Sequence, residues 1–431
     1  MWLISITLLF ATLWLLRYFF KNHNSAKLTY WKKQGWPILE ETISGWDVFT
    51  GKGNVSDSDV EYYKELERQK EPCGVVTELG TPIVVVRDLD LVKDIFIKDF
   101  DHFTDRRAFG DVDRIFKDGL FGLEGRPWKN MRTFLSPTFT SGRIRKMFCH
   151  FEKSANNLTK FIKSHHLSKN ATHFDIPVVY TMRKFSMQVI TSAAFGLKVD
   201  SFQDNDVVPM AERIFVFPIW QKIQMLISQQ FPKLSSFLKL KIFDFEAADF
   251  FWGLISSALK TRKENGVKGN KIRGWFHIYL FRLIIIAEVL RLYPSVARLD
   301  RICNNDYALP ETKNGGKRRI IRKGTVIAVP ADAFHKDEQY FPNPFKFDPT
   351  RFNQENKAKR NPYAYMPFGI GPRSCIGMRF AIVETKVALA YIVRNFTIRP
   401  TAGTPIPEKM EKDILGYKVA SNVNLQFVPR K

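Results

Sequence analysis

A cysteine in a glycine-rich loop is the side chain of this sequence with the clearest capacity for chemistry. Residues 368–377 read FGIGPRSCIG, so Cys375 shares its loop with three glycines and directly precedes a segment with helical apolar spacing. Glycines let the backbone approach a flat ligand, and a helix N-terminus stabilises a thiolate and donates hydrogen bonds to its sulfur. The loop therefore predicts a thiolate that binds the metal of a flat cofactor. The alternative is a buried structural cysteine.

Two further pairs of residues have the spacing of neighbours on one helix face. Trp128 and Arg132 are four positions apart, which suits an indole N–H and a guanidinium to the binding of one carboxylate. Glu288 and Arg291 are three positions apart and follow the apolar residues 284–287. That apolar run favours a buried ion pair, and the alternative is an ordinary pair on the surface.

The cysteine loop resembles the haem-ligand loop of cytochromes P450, whose pattern F-x-x-G-x-R-x-C-x-G it matches at every fixed position. The two pairs are similar to the family's W-x-x-x-R and E-x-x-R motifs, and residues 349–352 are close to its P-x-R-F motif. The resemblance covers residues 36–270 and about 288–428. Residues 135–142 are similar to the animal clan that includes the broad-specificity drug-oxidising enzymes.

This resemblance implies haem b as the cofactor, with Cys375 as the axial ligand of the iron. The further haem-binding residues that it implies are Arg106, Trp128, Arg132, Arg298, Phe368, Arg373 and Gly377. For Arg106 and Arg298 the alternative is an ordinary surface arginine. The resemblance also implies a buried network that fixes the cysteine loop and has a structural role. Its members would be Glu288, Arg291 and Arg351.

The elements that must position these residues are mostly helical. Hydrophobic periodicity predicts helix over residues 57–69, a β-hairpin over 73–86, mainly helix over 128–261, sheet over 318–331 and helix over 380–395. The expected fold class is mainly α with a small β region, which the resemblance identifies as the cytochrome P450 fold. One such domain would occupy residues 38–431.

One element of the family is missing from the sequence. Family members carry a central helix across the distal face of the haem, with an acid and a threonine that assist proton delivery. Here only the 17 residues 271–287 separate the helix that would precede it from the Glu288 helix. Such a segment would span about 25 Å as one helix, and its last turns already belong to the Glu288 helix. We expect a loss of roughly 80 residues, a fold that is incomplete around 271–287, and no catalytic acid–threonine pair.

The N-terminus predicts a membrane anchor. Residues 2–16 carry no charge and are rich in large apolar side chains, and lysines follow Arg17. This pattern favours a single transmembrane helix over residues 1–21 and a basic, proline-containing linker over 22–37. Positive charge on its C-terminal side favours a cytoplasmic domain, and the resemblance implies the endoplasmic reticulum membrane. A signal peptide and a buried core helix are the alternatives.

Composition and charge narrow the partners. The formal net charge of +23 favours anionic partners, but no nucleic-acid-binding motif accompanies it. Four cysteines without a CxxC pair fit neither a zinc site nor a dense disulfide framework. The resemblance implies an acidic flavoprotein, NADPH–cytochrome P450 reductase, as the electron donor. The basic face where it would dock, unless that face is simply solvated, consists of Lys129, Arg143, Arg145 and Lys146.

Three functional hypotheses remain open from the sequence. The first is a haem-thiolate monooxygenase that oxidises apolar small molecules such as steroids, lipids or xenobiotics. The second is a haem-binding protein without oxygenase activity, for example an isomerase that needs no proton relay. The third is an inactive, truncated paralogue, a membrane protein that never binds haem.

Overall fold

The computed structural model describes most of the chain from residue 28 onward. The described residues are 28–42, 54–78, 80–107, 118–164, 174–265 with gaps at 198, 204–205 and within 216–243, 281–310, 318–406, 410–412 and 416–430. The predicted anchor over residues 1–21 lies outside them. Among the described residues, no helix has the length and apolarity to cross a membrane.

Helix is the main secondary structure of the described chain, as the apolar spacing predicts. They are α1 (Val55–Arg68), α2 (Leu89–Lys93), α3 (Gly125–Leu135), α4 (Ser141–Lys146), α5 (Phe148–Ser164), α6 (Val178–Ala193), α7 (Val207–Phe215), α8 (Pro232–Phe237), α9 (Phe245–Asn265), α10 (Phe281–Leu292), α11 (Ala331–His335), α12 (Gln354–Lys359) and α13 (Met378–Asn395). A π-helical turn, Asp94–Lys98, follows α2.

The strands form small sheets. They are β1 (Cys73–Glu78), β2 (Thr81–Val86), β3 (Phe174–Pro177), β4 (Leu299–Ile302), β5 (Tyr307–Ala308), β6 (Ile320–Ile321), β7 (Val326–Val329), β8 (Phe396–Pro400), β9 (Met410–Lys412), β10 (Tyr417–Val419) and β11 (Asn424–Pro429). The largest sheet has the order β1-β2-β7-β4, and β2 and β7 are its parallel pair. The predicted hairpin and the sheet expected over 318–331 are confirmed.

Helix α1 shows how a predicted helix also delivers a charge to the interior. The Asn54 side chain caps it by accepting a hydrogen bond from the Ser56 N–H (2.7 Å). Residues Asp59, Tyr62 and Leu66 follow at helical spacing, and all three are buried. A buried carboxylate on an otherwise apolar face requires a cationic partner.

Helix α13 packs in a hydrophobic core that it shares with α5 and α6. Its residues Val387 and Ile392 pack in one cluster with Phe151 and Leu158 of α5 and Phe185 of α6. Each large apolar side chain buried there contributes about 1.5–3 kcal/mol. Because α13 begins three residues after Cys375, this core also fixes the end of the cysteine loop.

Candidate functional site

The cysteine loop is closed by its own backbone. The Cys375 N–H donates to the Phe368 carbonyl oxygen (2.8 Å), and the Ala381 N–H donates to the Gly377 carbonyl oxygen (2.9 Å) at the start of α13. A Cβ atom on Gly377 would lie 3.9 Å from the Cys375 sulfur. The thiol therefore lies at a helix N-terminus, and Cys375 is exposed. Both features suit a ligand that approaches from outside the loop.

Gly371 is the position where the loop requires glycine. Its φ is +72°, in the left-handed region, and a Cβ atom would lie 2.0 Å from the carbonyl oxygen of Phe96 in the π-helical turn. The loop thus approaches another backbone more closely than any side chain allows.

Replacing Gly371 by alanine is expected to destabilise the protein by more than 2 kcal/mol. The left-handed conformation alone costs alanine about 1–2 kcal/mol, and the clash with Phe96 adds to it. Urea unfolding monitored by circular dichroism measures the loss. The control is Gly253→Ala in α9, where a Cβ meets nothing within 4 Å and where alanine favours the helix. Equal midpoints for the two variants would contradict the close approach.

Arginine side chains converge beside the cysteine loop. Arg106 donates from Nη2 to the Arg373 carbonyl oxygen (2.9 Å), and its guanidinium lies 4.6 Å from the centre of the Phe121 ring. The Arg373 guanidinium lies 4.4 Å from the centre of the Trp128 ring and donates to the Leu123 carbonyl oxygen (2.5 Å). Backbone carbonyls and aromatic faces thus surround these cations.

Two more arginines complete this group. Arg132, half-buried on α3, is close enough to Cys375 for the sulfur to raise its pKa, although burial lowers that pKa more. Arg301 on β4 is 3% exposed, and its guanidinium lies 4.3 Å from the centre of the Phe96 ring. We define the arginine cluster as Arg106, Arg132, Arg301 and Arg373.

Positive charge in the arginine cluster exceeds its compensation. Burial and the neighbouring Arg106 lower the pKa of Arg301 to about 9 and that of Arg373 to about 10. The Nε atoms of both residues are buried without a hydrogen-bond partner. Against four arginines, the nearby acids among the described residues are three: Asp105, whose Oδ1 lies 3.5 Å from Arg373 Nη2, Asp300 and Glu124. A ligand with two carboxylates, placed against the Cys375 thiol, would supply the missing charge and acceptors. Haem, with its two propionates, fits these residues.

The structure brings together most of the predicted cofactor residues but not Arg298. Arg298 donates from Nε to Asp59 Oδ2 (2.8 Å) and its Nη2 lies 2.6 Å from Glu78 Oε1, so two carboxylates compensate its charge. Arg301, three residues later, belongs to the arginine cluster instead. The sequence does not rank these two arginines, because the acids that bind Arg298 come from α1 and β1.

A family model described as cytochrome P450 matches residues 50–281 and 284–425, which is most of the chain. The chain belongs to the cytochrome P450 family. Cytochrome P450 6j1 of Blattella germanica is 28% identical over 94% of this chain and 94% of its own length. Cytochrome P450 3A31 of Mesocricetus auratus is 29% identical over 94% of this chain and 93% of its own length. Cytochrome P450 3A13 of Mus musculus is 30% identical over 77% of this chain and 80% of its own length.

Membership confirms the family and the fold predicted from the sequence. The chain is by family a cytochrome P450 monooxygenase, an oxidoreductase whose cofactor is haem b held through a cysteine thiolate. Family membership also implies a redox partner and hydrophobic substrates.

The P450 E-x-x-R motif forms a buried network here. Arg291 donates from Nε and Nη2 to the two oxygens of Glu288 (both 2.8 Å), and both residues are fully buried. Arg291 also donates to the carbonyl oxygens of His335 (2.7 Å) and Pro344 (2.6 Å). Arg351 Nε lies 3.4 Å from Glu288 Oε1. The network thus ties α10 to the backbone of the segment that leads to the cysteine loop.

His335 gives this network a pH dependence. Its Nε2 accepts a hydrogen bond from the Met366 N–H (2.9 Å), so the ring is neutral, and burial together with Arg291 lowers its pKa from 6.5 to about 3. A depressed pKa contributes stability that is present above 6.5 and is lost as the pH falls toward 3.

His335→Gln is therefore expected to reduce the loss of stability on acidification. Between pH 7 and pH 5, the unfolding free energy of the variant should decrease by about 2 kcal/mol less than that of the unsubstituted chain. Urea unfolding at the two pH values measures it. An unchanged pH dependence would show that His335 is not the neutral, buried group described here.

The comparisons indicate that this chain lacks positions that a relative has. The match breaks between residues 281 and 284. The alignment with cytochrome P450 6j1 spans 489 positions, whereas 94% of this chain is about 405 residues, so about 84 positions lie opposite gaps in this chain. Helix α10 begins where the family match breaks. Its residues 284–287 are only half-buried, and Val289 is 42% exposed. The loss of the central helix stays a prediction. Residues 266–280 lie outside the described residues.

Proposed function

We propose that this chain is a haem-thiolate monooxygenase of apolar small molecules in which Cys375 is the axial ligand of the iron. The observation that carries the proposal is the arginine cluster, undercompensated and with unpartnered Nε atoms, beside a thiol at the N-terminus of α13. When bound, thiolate-ligated haem supplies the oxygen-activating chemistry of the family.

The roles of the protein residues follow from their positions. The Cys375 sulfur would bind the iron, supported by the α13 N-terminus. Arg106, Arg132, Arg301 and Arg373, with Trp128, would hold the two propionates. Phe368 closes the loop through its carbonyl oxygen, and Gly377 leaves room beside the sulfur. The Glu288 network holds the preceding segment in place.

The partners in this proposal are a membrane and a flavoprotein reductase that uses NADPH. Residues 1–21 would anchor the chain in the endoplasmic reticulum membrane, with the domain on the cytoplasmic side. Exposed basic residues of α3 and α4 would attract an acidic partner. They are Lys129, Arg143, Arg145 and Lys146.

The test is NADPH-dependent turnover by the full chain, reconstituted with haem, a P450 reductase and lipid. Steroid, fatty-acid and aromatic-ether probes should yield hydroxylated or dealkylated products, and Cys375→Ser should yield none. A chain that binds haem through a thiolate, yet consumes no NADPH above that of the reductase alone, would contradict the monooxygenase.

That contrary result would favour a second candidate, a haem-thiolate protein without oxygenase activity. The observation behind it is that the sequence contains no central-helix motif with the acid and threonine, together with the gap near residue 284. A thiolate-haem isomerase needs no such proton relay, so it would retain the haem spectrum while showing no turnover with the reductase.

A further inference from the structure

A charged network adjoins the arginine cluster without being part of it. Glu78, the last residue of β1, lies between two arginines: its Oε2 is 3.1 Å from Arg107 Nη1, and its Oε1 is 2.6 Å from Arg298 Nη2. Arg298 also forms a two-pronged contact with Asp59, which is fully buried on α1. We call these four residues the carboxylate clamp: Asp59, Glu78, Arg107 and Arg298.

Both arginines of the clamp are chain neighbours of cluster arginines. Arg107 directly follows Arg106, and Arg298 precedes Arg301 by three residues. The two segments are joined by backbone hydrogen bonds from the Ile302 N–H to the Asp105 carbonyl oxygen (2.8 Å) and from the Asn304 N–H to the His102 carbonyl oxygen (2.7 Å). The Asn304 side chain also donates to Asp105 Oδ2 (2.5 Å). The clamp adds a connection between charged side chains, beside the two cluster arginines.

The positive charges of the arginine cluster repel one another. Arg106 lowers the pKa of both Arg301 and Arg373, which is the electrostatic sign of mutual repulsion. The clamp, by contrast, balances two guanidinium groups with two carboxylates. Burial alone would raise the pKa of Glu78, but Arg298 and Arg107 together hold it at about 2, so Glu78 stays ionised at neutral pH.

We propose that Glu78 is a positioning residue of the haem site, which holds Arg106 and Arg301 toward one anionic ligand by clamping Arg107 and Arg298. This inference rests on the proposed haem site. Glu78 itself would not contact the haem. Groups that orient the residues binding a cofactor typically change its affinity by about 10- to 100-fold.

The test compares two probes, one with charged propionates and one in which the propionates are neutral esters. Full-length apoprotein is titrated with haem and with haem dimethyl ester, whose propionates are esterified, and the Soret band gives both affinities. Glu78→Gln should weaken haem binding about tenfold and leave the dimethyl ester unaffected. Arg301→Gln serves as the control for direct contact and should show the same selectivity.

Two controls separate positioning from folding. Circular dichroism gives the folded fraction of each variant, and Glu355→Gln on exposed α12 controls for loss of one surface carboxylate.

Arg107→Gln should also weaken haem binding selectively. The double variant with Glu78→Gln should bind haem no more weakly than Glu78→Gln alone.

The outcomes distinguish the two proposals. An equal loss for haem and its dimethyl ester, no loss at all, or failure of both clamp variants to fold would overturn the positioning role. If the unsubstituted chain itself did not shift the Soret band of free haem, the proposed haem site would fail, and this inference would fail with it.

Discussion

Cys375→Ser is expected to abolish completely the red-shifted Soret band that the reduced, CO-bound form of a thiolate-haem protein gives. The reason is that no other described cysteine can replace the ligand. Burial raises the pKa of Cys73 to about 12 and that of Cys303 to about 11, and both are fully buried. A serine hydroxyl is not a thiolate and cannot donate charge to the iron in the same way.

The matched control is Cys149→Ser, since Cys149 lies half-buried on α5 and is not part of the cysteine loop. This variant should keep the band at full intensity per folded chain. A red-shifted band that persists in Cys375→Ser, or that is lost in Cys149→Ser, would contradict the assignment of the ligand.

The second large effect is expected at the buried ion pair of α10. Arg291→Ala leaves Glu288 as a buried carboxylate that has lost its two-pronged partner, and it removes the donors to the His335 and Pro344 carbonyl oxygens. Breaking a buried pair from one side costs about 3–5 kcal/mol. Against a typical total stability of about 5–15 kcal/mol, little folded protein should remain.

Denaturant unfolding of the purified chain measures this loss, and the soluble yield shows it independently. The control is Lys359→Ala, which breaks an exposed i,i+4 pair with Glu355 and should cost less than about 1 kcal/mol. If Arg291→Ala were as mild as Lys359→Ala, the Glu288 network would have no structural role.

The sequence predicts the proximal side of the site well because its information is local. The cysteine loop, the Trp128–Arg132 pair and the Glu288–Arg291 pair each lie within a few residues, so their spacing alone implies shared faces and closed loops. The structure brings the loop, Arg132 and Trp128 to one place, with Arg106 and Arg373 beside them.

The partners of Arg298 are distant in the sequence, so its pairing with two carboxylates could not be predicted. Asp59 lies on a helix more than two hundred residues earlier in the chain, and Glu78 ends a strand of the hairpin. Only the assembled sheet brings those carboxylates to Arg298 and leaves Arg301 for the cluster. The role of Asp105 was hidden in the same way, since its partners Asn304 and Arg373 are distant in sequence.

The reduced, CO-bound spectrum of the unsubstituted full-length chain, saturated with haem, tests the haem-thiolate site most directly. We expect one haem per folded chain and the red-shifted Soret band, because the Cys375 loop and the arginine cluster are built without the central helix. A folded chain that leaves the Soret band of free haem unshifted, or that gives a CO-bound band without the thiolate shift, would contradict it.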